Sequence, residues 1–302
     1  MISIDLGSNS IRVAKFDCAT KTNKQFFTKV TKIANGLAQT GMINDAAITR
    51  VIDAINEAKA EIEFDEPIYA VTTEAVRKAS NSDEVINKLK KATGVNFEII
   101  SGDDEAKYTL MAVENQVDIL YPNEHDSFVL VDIGGGSTEL IFNYRDKVFS
   151  KSFPIGIVTI SQKYDANIEV IEEVLPKLMS EMQDFCDEIY AKYGKVDKFV
   201  ATAGTPTTIA ALKHELTYKT YDANLVEGTI LQKPELDFYR DKLMSMSIEE
   251  RIKAVGAGRV EVINTGVAIY KELFNIVDIK ESVVIDFGLV EGVALYNCNK
   301  KI

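Results

Sequence analysis

The chain has 302 residues, of which 46% are hydrophobic and 26% charged, and its formal net charge is −12. This length is more than one small core needs and predicts two domains. The acidic balance excludes a general nucleic-acid binder, which would carry a basic face. The absence of a long uninterrupted apolar run excludes a membrane-spanning helix.

The N-terminus and the cysteines favour a cytoplasmic location. The sequence opens directly on a strand, Met1-Ile-Ser-Ile-Asp5, without the basic and apolar regions of a signal peptide. Cys18, Cys186 and Cys298 lie far apart and are odd in number. This pattern predicts reduced thiols better than a disulfide framework or a zinc site.

In the first half of the chain, strands and helices alternate. Residues 2–16 read as two strands around a short polar turn. Further strands are predicted at 23–33, 68–72 and 97–100, and helices at 46–62, 84–93 and 101–117. Asp83 is the predicted cap of the second helix, and Gly94 its end.

The second half repeats this alternation. It begins with a predicted hairpin at 129–141, followed by strands at 147–153, 198–202 and 282–288. Helices are predicted at 168–193 (with Pro176 as a potential break), 207–213, 234–247, 248–274 and 289–296. Alternating elements in two similar halves predict an α/β protein with a cleft between two domains.

The hairpin turn is the first candidate ligand site. Gly134, Gly135 and Gly136 follow an apolar strand, and glycines there can adopt positive φ and direct several N–H groups at one anion. Asp132 and Glu139 flank the turn and suit a hydrated Mg²⁺, which prefers hard oxygen ligands. The alternative is a glycine-rich turn that binds nothing.

A matching turn lies near the N-terminus. Residues 2–16 repeat the order of apolar strand, aspartate, glycine, small polar residues and strand, so Asp5 occupies the place of Asp132. Two such turns could hold a phosphate chain from both sides of a cleft through backbone amides and side-chain hydroxyls. The candidate hydroxyl donors are those of Ser8, Ser10, Ser137 and Thr138.

Three further positions allow two interpretations each. Gly204-Thr205 follows a strand and is either a third place of ligand approach or a plain strand-to-helix turn. Arg77 lies in a turn after a buried strand and suits a bidentate phosphate contact or an ordinary ion pair. Glu105 begins a helix, either as a base or as an acid that complements the helix dipole.

These stretches together resemble the exopolyphosphatase/guanosine pentaphosphate phosphatase (Ppx/GppA) family, within the actin–Hsp70–sugar kinase superfamily. The resemblance runs through nearly the whole chain and is carried by the following motifs: Ile4-Asp-Leu-Gly-Ser-Asn-Ser10, Thr73 to Asn81, Ile100-Ser-Gly-Asp-Asp-Glu-Ala106, Val131-Asp-Ile-Gly-Gly-Gly-Ser-Thr-Glu139, Phe153-Pro-Ile-Gly156, Thr202-Ala-Gly-Thr205, Glu250-Arg251 with Arg259, and Glu291-Gly292.

The resemblance implies a fold of two actin-like (ribonuclease H-like) domains, each with a mixed central sheet flanked by helices, and an active site in the interdomain cleft. The expected domains are residues 1–119 with 289–302, and residues 120–288. Longer members of the family carry a C-terminal helical region with an HD-type domain, which is not expected within this sequence.

The resemblance also implies roles for single residues. Glu105 matches the glutamate that orients or deprotonates the attacking water, and Arg77 the arginine that grips the terminal phosphates. Asp132 and Glu139 match the Mg²⁺-site acids, with Asp5 as the equivalent acid of the first turn. The phosphate cradle is expected from Ser8, Asn9, Ser10, Gly134, Gly135, Gly136, Ser137, Thr138, Gly204 and Thr205.

Besides Asp104, which stands where many members have a second glutamate, two departures from the family pattern lie near these residues. Glu74 stands where a small residue is usual, and Pro206 stands where an aliphatic residue is frequent. The second departure weakens the expectation that the Gly204-Thr205 loop contacts a ligand.

The expected activity is Mg²⁺-dependent release of the terminal phosphate from inorganic polyphosphate, from guanosine pentaphosphate, or from both. Such a protein would bind polyphosphate or the guanosine penta- and tetraphosphates of the stringent response. A homodimer is a further expectation. Both substrates end in the same linear phosphate chain, so the sequence does not choose between them. A non-hydrolysing polyphosphate or alarmone sensor and an actin-like ATPase or sugar kinase remain as alternatives.

Overall fold

A computed structural model describes residues 1–122, 127–144 and 146–300 of the chain. The chain folds into two compact units. Unit 1 comprises Met1–Asn115 together with Phe287–Ile302, and unit 2 comprises Gln116–Asp286.

Unit 1 is built on a five-stranded mixed sheet. The strands are β1 (Ile2–Leu6), β2 (Ser10–Asp17), β3 (Thr22–Val30), β4 (Ile68–Thr72) and β5 (Phe97–Ile99). The helices are α1 (Leu37–Thr40), α2 (Asp45–Glu61), α3 (Glu74–Lys78), α4 (Ser82–Thr93), α5 (Gly102–Leu120, which begins in this unit) and the last helix of the chain, Leu289–Asn299.

The strand order of this sheet is β3-β2-β1-β4-β5. The strands β1, β2 and β3 form an antiparallel meander, whereas β4 pairs parallel to β1 and β5 parallel to β4. Both faces of β1 are covered, because four of its five residues are buried. The side chain of Asn44 caps α2 by accepting from the N–H of Ala47, which explains why that helix begins there.

Unit 2 is built on a six-stranded mixed sheet. The strands are β6 (Phe128–Ile133), β7 (Thr138–Tyr144), β8 (Lys147–Phe153), β9 (Lys198–Thr202), β10 (Ile230–Gln232) and β11 (Glu281–Val284). The helices are α6 (Ile157–Lys163), α7 (Ile168–Leu178), α8 (Ser180–Tyr193), α9 (Gly204–Lys213), α10 (Ala223–Val226), α11 (Lys233–Ser245), α12 (Ile248–Val255) and α13 (Ile263–Val277), with a 3₁₀ turn at Tyr218–Thr220. The last helix, Leu289–Asn299, is α14.

The two sheets repeat one topology. In unit 2 the order is β10-β11-β9-β6-β7-β8, with β6, β7 and β8 as an antiparallel meander and β9 and β11 parallel to β6. The sequence β8-β7-β6-β9-β11 therefore reproduces β3-β2-β1-β4-β5, and β10 is an added antiparallel edge strand. The predicted α/β class with mixed central sheets is confirmed.

Several predicted elements differ in their bounds. The predicted helix 168–193 is two helices, because α7 ends at Leu178, two residues after Pro176, whose missing N–H and ring disfavour further helix. Asp83 is not a cap, since α4 begins at Ser82 and the N-cap position is Asn81. The turn at 73–81 contains α3, and the short helix α6 after Gly156 was not predicted.

The prediction of three reduced thiols is wrong. Cys18 and Cys298 form a disulfide across 280 positions of sequence, with a Cα–Cα distance of 5.6 Å. The sequence spacing conceals this pair because α14 returns to the first sheet, where the Ser3 hydroxyl donates to the Val290 carbonyl at 2.5 Å. Cys186 is a buried free thiol. The cysteines therefore give no support for a cytoplasmic location, which stays a prediction.

None of the helices in the described part of the chain combines the length and the apolar character that a bilayer crossing requires.

Candidate active site

The two predicted catalytic residues, Arg77 and Glu105, lie side by side in unit 1. Arg77 lies on α3 directly after β4, and Glu105 lies in the first turn of α5 directly after β5. Because β4 and β5 are neighbouring parallel strands, their carboxyl ends meet at one edge of the sheet. The Nη1 atom of Arg77 is 3.5 Å from Oε2 of Glu105.

The guanidinium of Arg77 is held by three groups. Its Nη1 donates to the carbonyl oxygen of Ile100 at 2.6 Å and faces Glu105, while its Nη2 donates to Oε2 of Glu74 at 2.9 Å. Ile100 is buried and is itself fixed by its N–H, which donates to Thr72 O at 3.1 Å. The planar fork of the arginine is thereby oriented from both of its terminal nitrogens.

Glu105 is a nearly buried carboxylate at the start of a helix. It is 8% exposed, and its N–H donates to Ser101 O at 3.0 Å. The hydroxyl of Ser101 accepts from the N–H of Asp104 at 3.1 Å and so caps this turn of α5. A carboxylate placed beside an arginine in this way can orient a water molecule through its oxygens.

In unit 2, the acids Asp132 and Glu139 face each other across the β6–β7 hairpin. They are direct partners in the antiparallel register, so their side chains project from the same face of the sheet. Like charges placed directly opposite destabilise a sheet unless a cation offsets them. The structure thus brings together the two acids that the sequence assigned to a metal.

Glu139 is held by two hydroxyl groups. It is 1% exposed, and its Oε1 accepts from Ser137 at 2.8 Å and from Ser152 at 2.6 Å. Ser152 lies opposite Glu139 on β8. The hydrogen bond from Ser152 was not predicted, because it depends on the register of β8 with β7. Among the described residues, no group of three or more His, Cys, Asp and Glu is placed to hold a metal ion.

The donor set at this hairpin fits Mg²⁺ nonetheless. Two carboxylates on one face supply hard oxygen ligands, and Mg²⁺ is ordinarily bound by one or two carboxylates together with water and substrate phosphates. Asp132 and Glu139 are the residues that would hold it, and the requirement for Mg²⁺ remains a prediction.

Gly134 in the β6–β7 turn and Gly156 before α6 are needed for space. Gly134, Gly135 and Gly136 are not among the glycines with positive φ, contrary to the expectation from the sequence. A Cβ on Gly134 would stand 2.9 Å from the carbonyl oxygen of Ser137, and one on Gly156 would clash with the backbone of Gly135. Glycine is therefore required because backbone segments approach each other closely.

Helix α6 is anchored on this turn. The N–H groups of Ile157 and Val158 donate to the carbonyl oxygens of Gly134 and Gly135 at 3.0 and 2.8 Å. These hydrogen bonds fix the turn against the start of α6. An anion at this turn would be bound by N–H donors.

The hydroxyls predicted to bind phosphate are engaged with the protein. Ser137 donates to Glu139, and Thr138 donates to Ile155 O at 2.6 Å. Both side chains are buried. A phosphate bound by these hydroxyls would require them to exchange partners, so backbone amides are the better candidates for the cradle here.

The turn between β1 and β2 in unit 1 carries Ser8, Asn9 and Ser10. The N–H of Gly7 donates to Ser10 O at 3.0 Å, as the N–H of Gly134 donates to Ser137 O at 2.9 Å in the other hairpin. The carbonyls of Ser8 and Asn9 accept from the segment 31–34, which fixes the turn. Asp5 has Arg12 as its direct cross-strand partner, where Asp132 has Glu139.

The third loop, after β9, is strained. Ala203 has φ 74° and ψ −170°, a region that is essentially restricted to glycine. Thr205 is buried, and its hydroxyl oxygen has no hydrogen-bond partner in the described part of the chain. The Arg259 side chain borders Gly204 and donates from Nη1 to Oγ1 of Thr208 at 3.0 Å. The contact of this loop with a ligand stays a prediction. The position of Arg259 beside the loop was not predicted from the sequence.

Unit 1 thus has an arginine–glutamate pair at the ends of two parallel strands, and unit 2 has an acid-flanked glycine hairpin. The Ppx/GppA phosphatase family matches residues 24–301, and the chain therefore belongs to this family.

Individual relatives agree with this assignment. Exopolyphosphatase 2 of Mycobacterium tuberculosis is 25% identical over 97% of this chain and 97% of its own length. A solved structure of the Aquifex aeolicus member of the Ppx/GppA family is 28% identical and has a TM-score of 0.72, covering 99% of this chain and 97% of that one.

A third relative is a longer protein. The bifunctional 3-dehydroquinate synthase/phosphatase of Fusobacterium nucleatum is 24% identical over 90% of this chain, which spans 43% of that protein's length.

Proposed function

We propose that this member of the phosphatase family releases the terminal phosphate from inorganic polyphosphate, from guanosine pentaphosphate, or from both, with Mg²⁺ as cofactor. The observation that carries the proposal is the Arg77–Glu105 pair, in which a guanidinium nitrogen and a carboxylate oxygen are 3.5 Å apart. One group can bind a terminal phosphate, and the other can orient the water that attacks it.

The chemistry that this reaction needs matches these residues. Phosphoryl transfer depends on positioning and on offsetting the charge of the phosphoryl oxygens. Arg77 presents a planar fork that suits two phosphate oxygens. Glu105 accepts a proton from water, or orients it, at its carboxylate oxygens. In unit 2, the N–H groups of the β6–β7 turn are donors that suit phosphate oxygens.

A bound Mg²⁺ would supply charge to offset the phosphate oxygens and a template for the leaving group. Asp132 and Glu139 are the residues proposed to hold it, and Ser137 and Ser152 fix the orientation of Glu139. Such supporting hydrogen bonds tune a metal ligand as well as orient it.

The names of the relatives support the same chemistry. One relative that this chain matches over nearly its full length is named an exopolyphosphatase. Identities of about a quarter support the family's chemistry more strongly than the choice of substrate. Polyphosphate and guanosine pentaphosphate are therefore proposed together, and a homodimer and a role in the stringent response remain predictions.

The test is a side-by-side assay of phosphate release from polyphosphate and from guanosine pentaphosphate, with Mg²⁺ and with a chelator. The proposal predicts turnover of at least one substrate that is lost with the chelator. Binding of either compound without phosphate release would favour a sensor. Phosphate release from neither, with ATP-dependent phosphorylation of a sugar, would favour a kinase, and either result would overturn the proposal.

A further inference from the structure

Glu74 is a nearly buried acid beside the candidate active site. It is the first residue of α3 and is 8% exposed. Its Oε2 accepts from Nη2 of Arg77 at 2.9 Å, and its Oε1 pairs with Nζ of Lys78. A carboxylate is seldom buried unless it is paired, and both oxygens of Glu74 are paired here.

The contact to Arg77 fixes the plane of the guanidinium. Within the described part of the chain, the other contacts of Arg77, to Ile100 O and Glu105, are both made by Nη1. Contacts through one terminal nitrogen leave the planar group able to rotate, whereas contacts through both nitrogens define its plane. Glu74 is therefore the group that orients the Nη2 side of the arginine.

Glu74 also changes the charge that an anion meets. Two carboxylates, Glu74 and Glu105, and two cations, Arg77 and Lys78, form one connected group of ion pairs. Their formal charges cancel. A phosphate chain that binds Arg77 then approaches a site whose positive charge is already offset, so its binding is weaker than it would be at an arginine without this acid.

We propose that Glu74 is a positioning residue for Arg77, which weakens substrate binding and raises turnover by holding the guanidinium in its productive orientation. This inference rests on the proposed function for the identity of the substrate. Interactions that favour the transition state over the bound substrate increase kcat, whereas tighter substrate binding alone does not.

Two substitutions separate the charge of Glu74 from its hydrogen bond. Glu74→Gln removes the charge but retains an oxygen that can accept from Nη2, and Glu74→Ala removes both. In Glu74→Gln we expect KM to fall about fivefold, the effect of removing one partly screened like charge, with kcat within about twofold. In Glu74→Ala we expect KM to fall similarly and kcat to fall about tenfold or more, because small misplacements of a binding group are costly.

The matched control is Glu84→Gln, an exposed carboxylate on α4 that pairs with Lys88. It makes the same change of net charge away from Arg77 and should leave both kinetic constants unchanged. Equal kcat values in Glu74→Gln and Glu74→Ala would overturn the positioning role. Unchanged KM in both variants would overturn the effect on binding.

A binding experiment keeps the inference testable without turnover. Calorimetry with tripolyphosphate and Mg²⁺ would compare Glu105→Gln alone with Glu105→Gln that also carries Glu74→Gln. We expect the double variant to bind about fivefold more tightly, and equal affinities would overturn the inference. Failure of the wild-type chain to hydrolyse any phosphate chain would instead overturn the proposed function, while this comparison would still give its answer.

Discussion

The first hairpin of each unit's sheet has the same backbone hydrogen bond in its turn, but the charges of the cross-strand pairs differ. In each, the N–H of a glycine donates to a serine carbonyl three residues later, Gly7 to Ser10 at 3.0 Å and Gly134 to Ser137 at 2.9 Å. The first hairpin sets Asp5 opposite Arg12, and the second sets Asp132 opposite Glu139. The duplicated fold has kept the turn, whereas one cross-strand residue determines whether the aspartate faces a cation or a second acid.

This difference favours the second hairpin as the proposed Mg²⁺ site. Asp5 already has a positively charged cross-strand partner, while Asp132 and Glu139 form a pair that a divalent cation would stabilise. Asp5 was predicted as a metal ligand because it is equivalent to Asp132. The comparison of the hairpins gives Asp5 less support as a ligand than Asp132 or Glu139.

The largest effect expected from the difference between the hairpins is on the Mg²⁺ requirement. Asp132→Asn should raise the Mg²⁺ concentration for half-maximal phosphate release by about tenfold or more, since even residues that only support metal ligands change affinity by about 10–100-fold. Asp5→Asn should raise it by less. A Mg²⁺ titration of both variants makes the comparison, and an equal shift in both would show that the two hairpins are equivalent.

The second effect concerns a cross-link that only unit 1 can form. The oxidised protein should present no reactive thiol, because Cys18 and Cys298 are paired and burial raises the pKa of Cys186 to about 12. Replacing both paired cysteines by serine should lower the free energy of unfolding by about 2–4 kcal/mol. Thiol labelling and urea unfolding with and without reductant measure this, and reductant should leave the double variant unaffected.

A smaller effect should separate the glycines of the two turns. A Cβ on Gly134 would stand 2.9 Å from Ser137 O, whereas a Cβ on Gly7 would be 3.5 Å from Ser10 O, an ordinary contact. Gly134→Ala should therefore destabilise the protein by about 1–3 kcal/mol, and Gly7→Ala by about 0.5 kcal/mol or less. Denaturant unfolding of the pair tests this, and a larger loss in Gly7→Ala would contradict it.

The smallest effect concerns the equivalent turns after β4 and β9. Ala203 has φ 74°, while Thr73 has φ −119°, which a residue with a side chain adopts readily. Ala203→Gly should stabilise the protein by about 1 kcal/mol through relief of strain. Thr73→Gly should destabilise it, since the added freedom of the unfolded chain is not offset. A loss of stability in Ala203→Gly would show that the strain is compensated elsewhere.

Much of the candidate site could be predicted from the sequence because its parts are local. The order of aspartate, glycine and hydroxyl residues between apolar strands identifies each hairpin. The pairing of Arg77 with Glu105 was not predictable from spacing, because it depends on β4 and β5 being adjacent. The disulfide required the return of α14 to β1, and the roles of Ser152 and Glu74 required the sheet register and the orientation of the Arg77 guanidinium.

The helix bounds that differed have local physical causes. Pro176 indicated that the predicted helix 168–193 would be interrupted. It did not give the position of the break, since α7 continues to Leu178. Helix α6 is only seven residues long, and its N-terminus is fixed by carbonyls of the glycine turn, a tertiary contact without a sequence period.

The most direct test of the central claim is the rate of phosphate release by Glu105→Gln, compared with Asp103→Asn as a control. Asp103 is an exposed acid in the same helical turn, so its substitution changes net charge equally. With polyphosphate and guanosine pentaphosphate as substrates, Glu105→Gln should be slower than wild type by about 10²–10⁴-fold while still binding the phosphate chain, and Asp103→Asn should match wild type. A wild-type rate in Glu105→Gln would contradict the assignment of Glu105 as the residue that activates water.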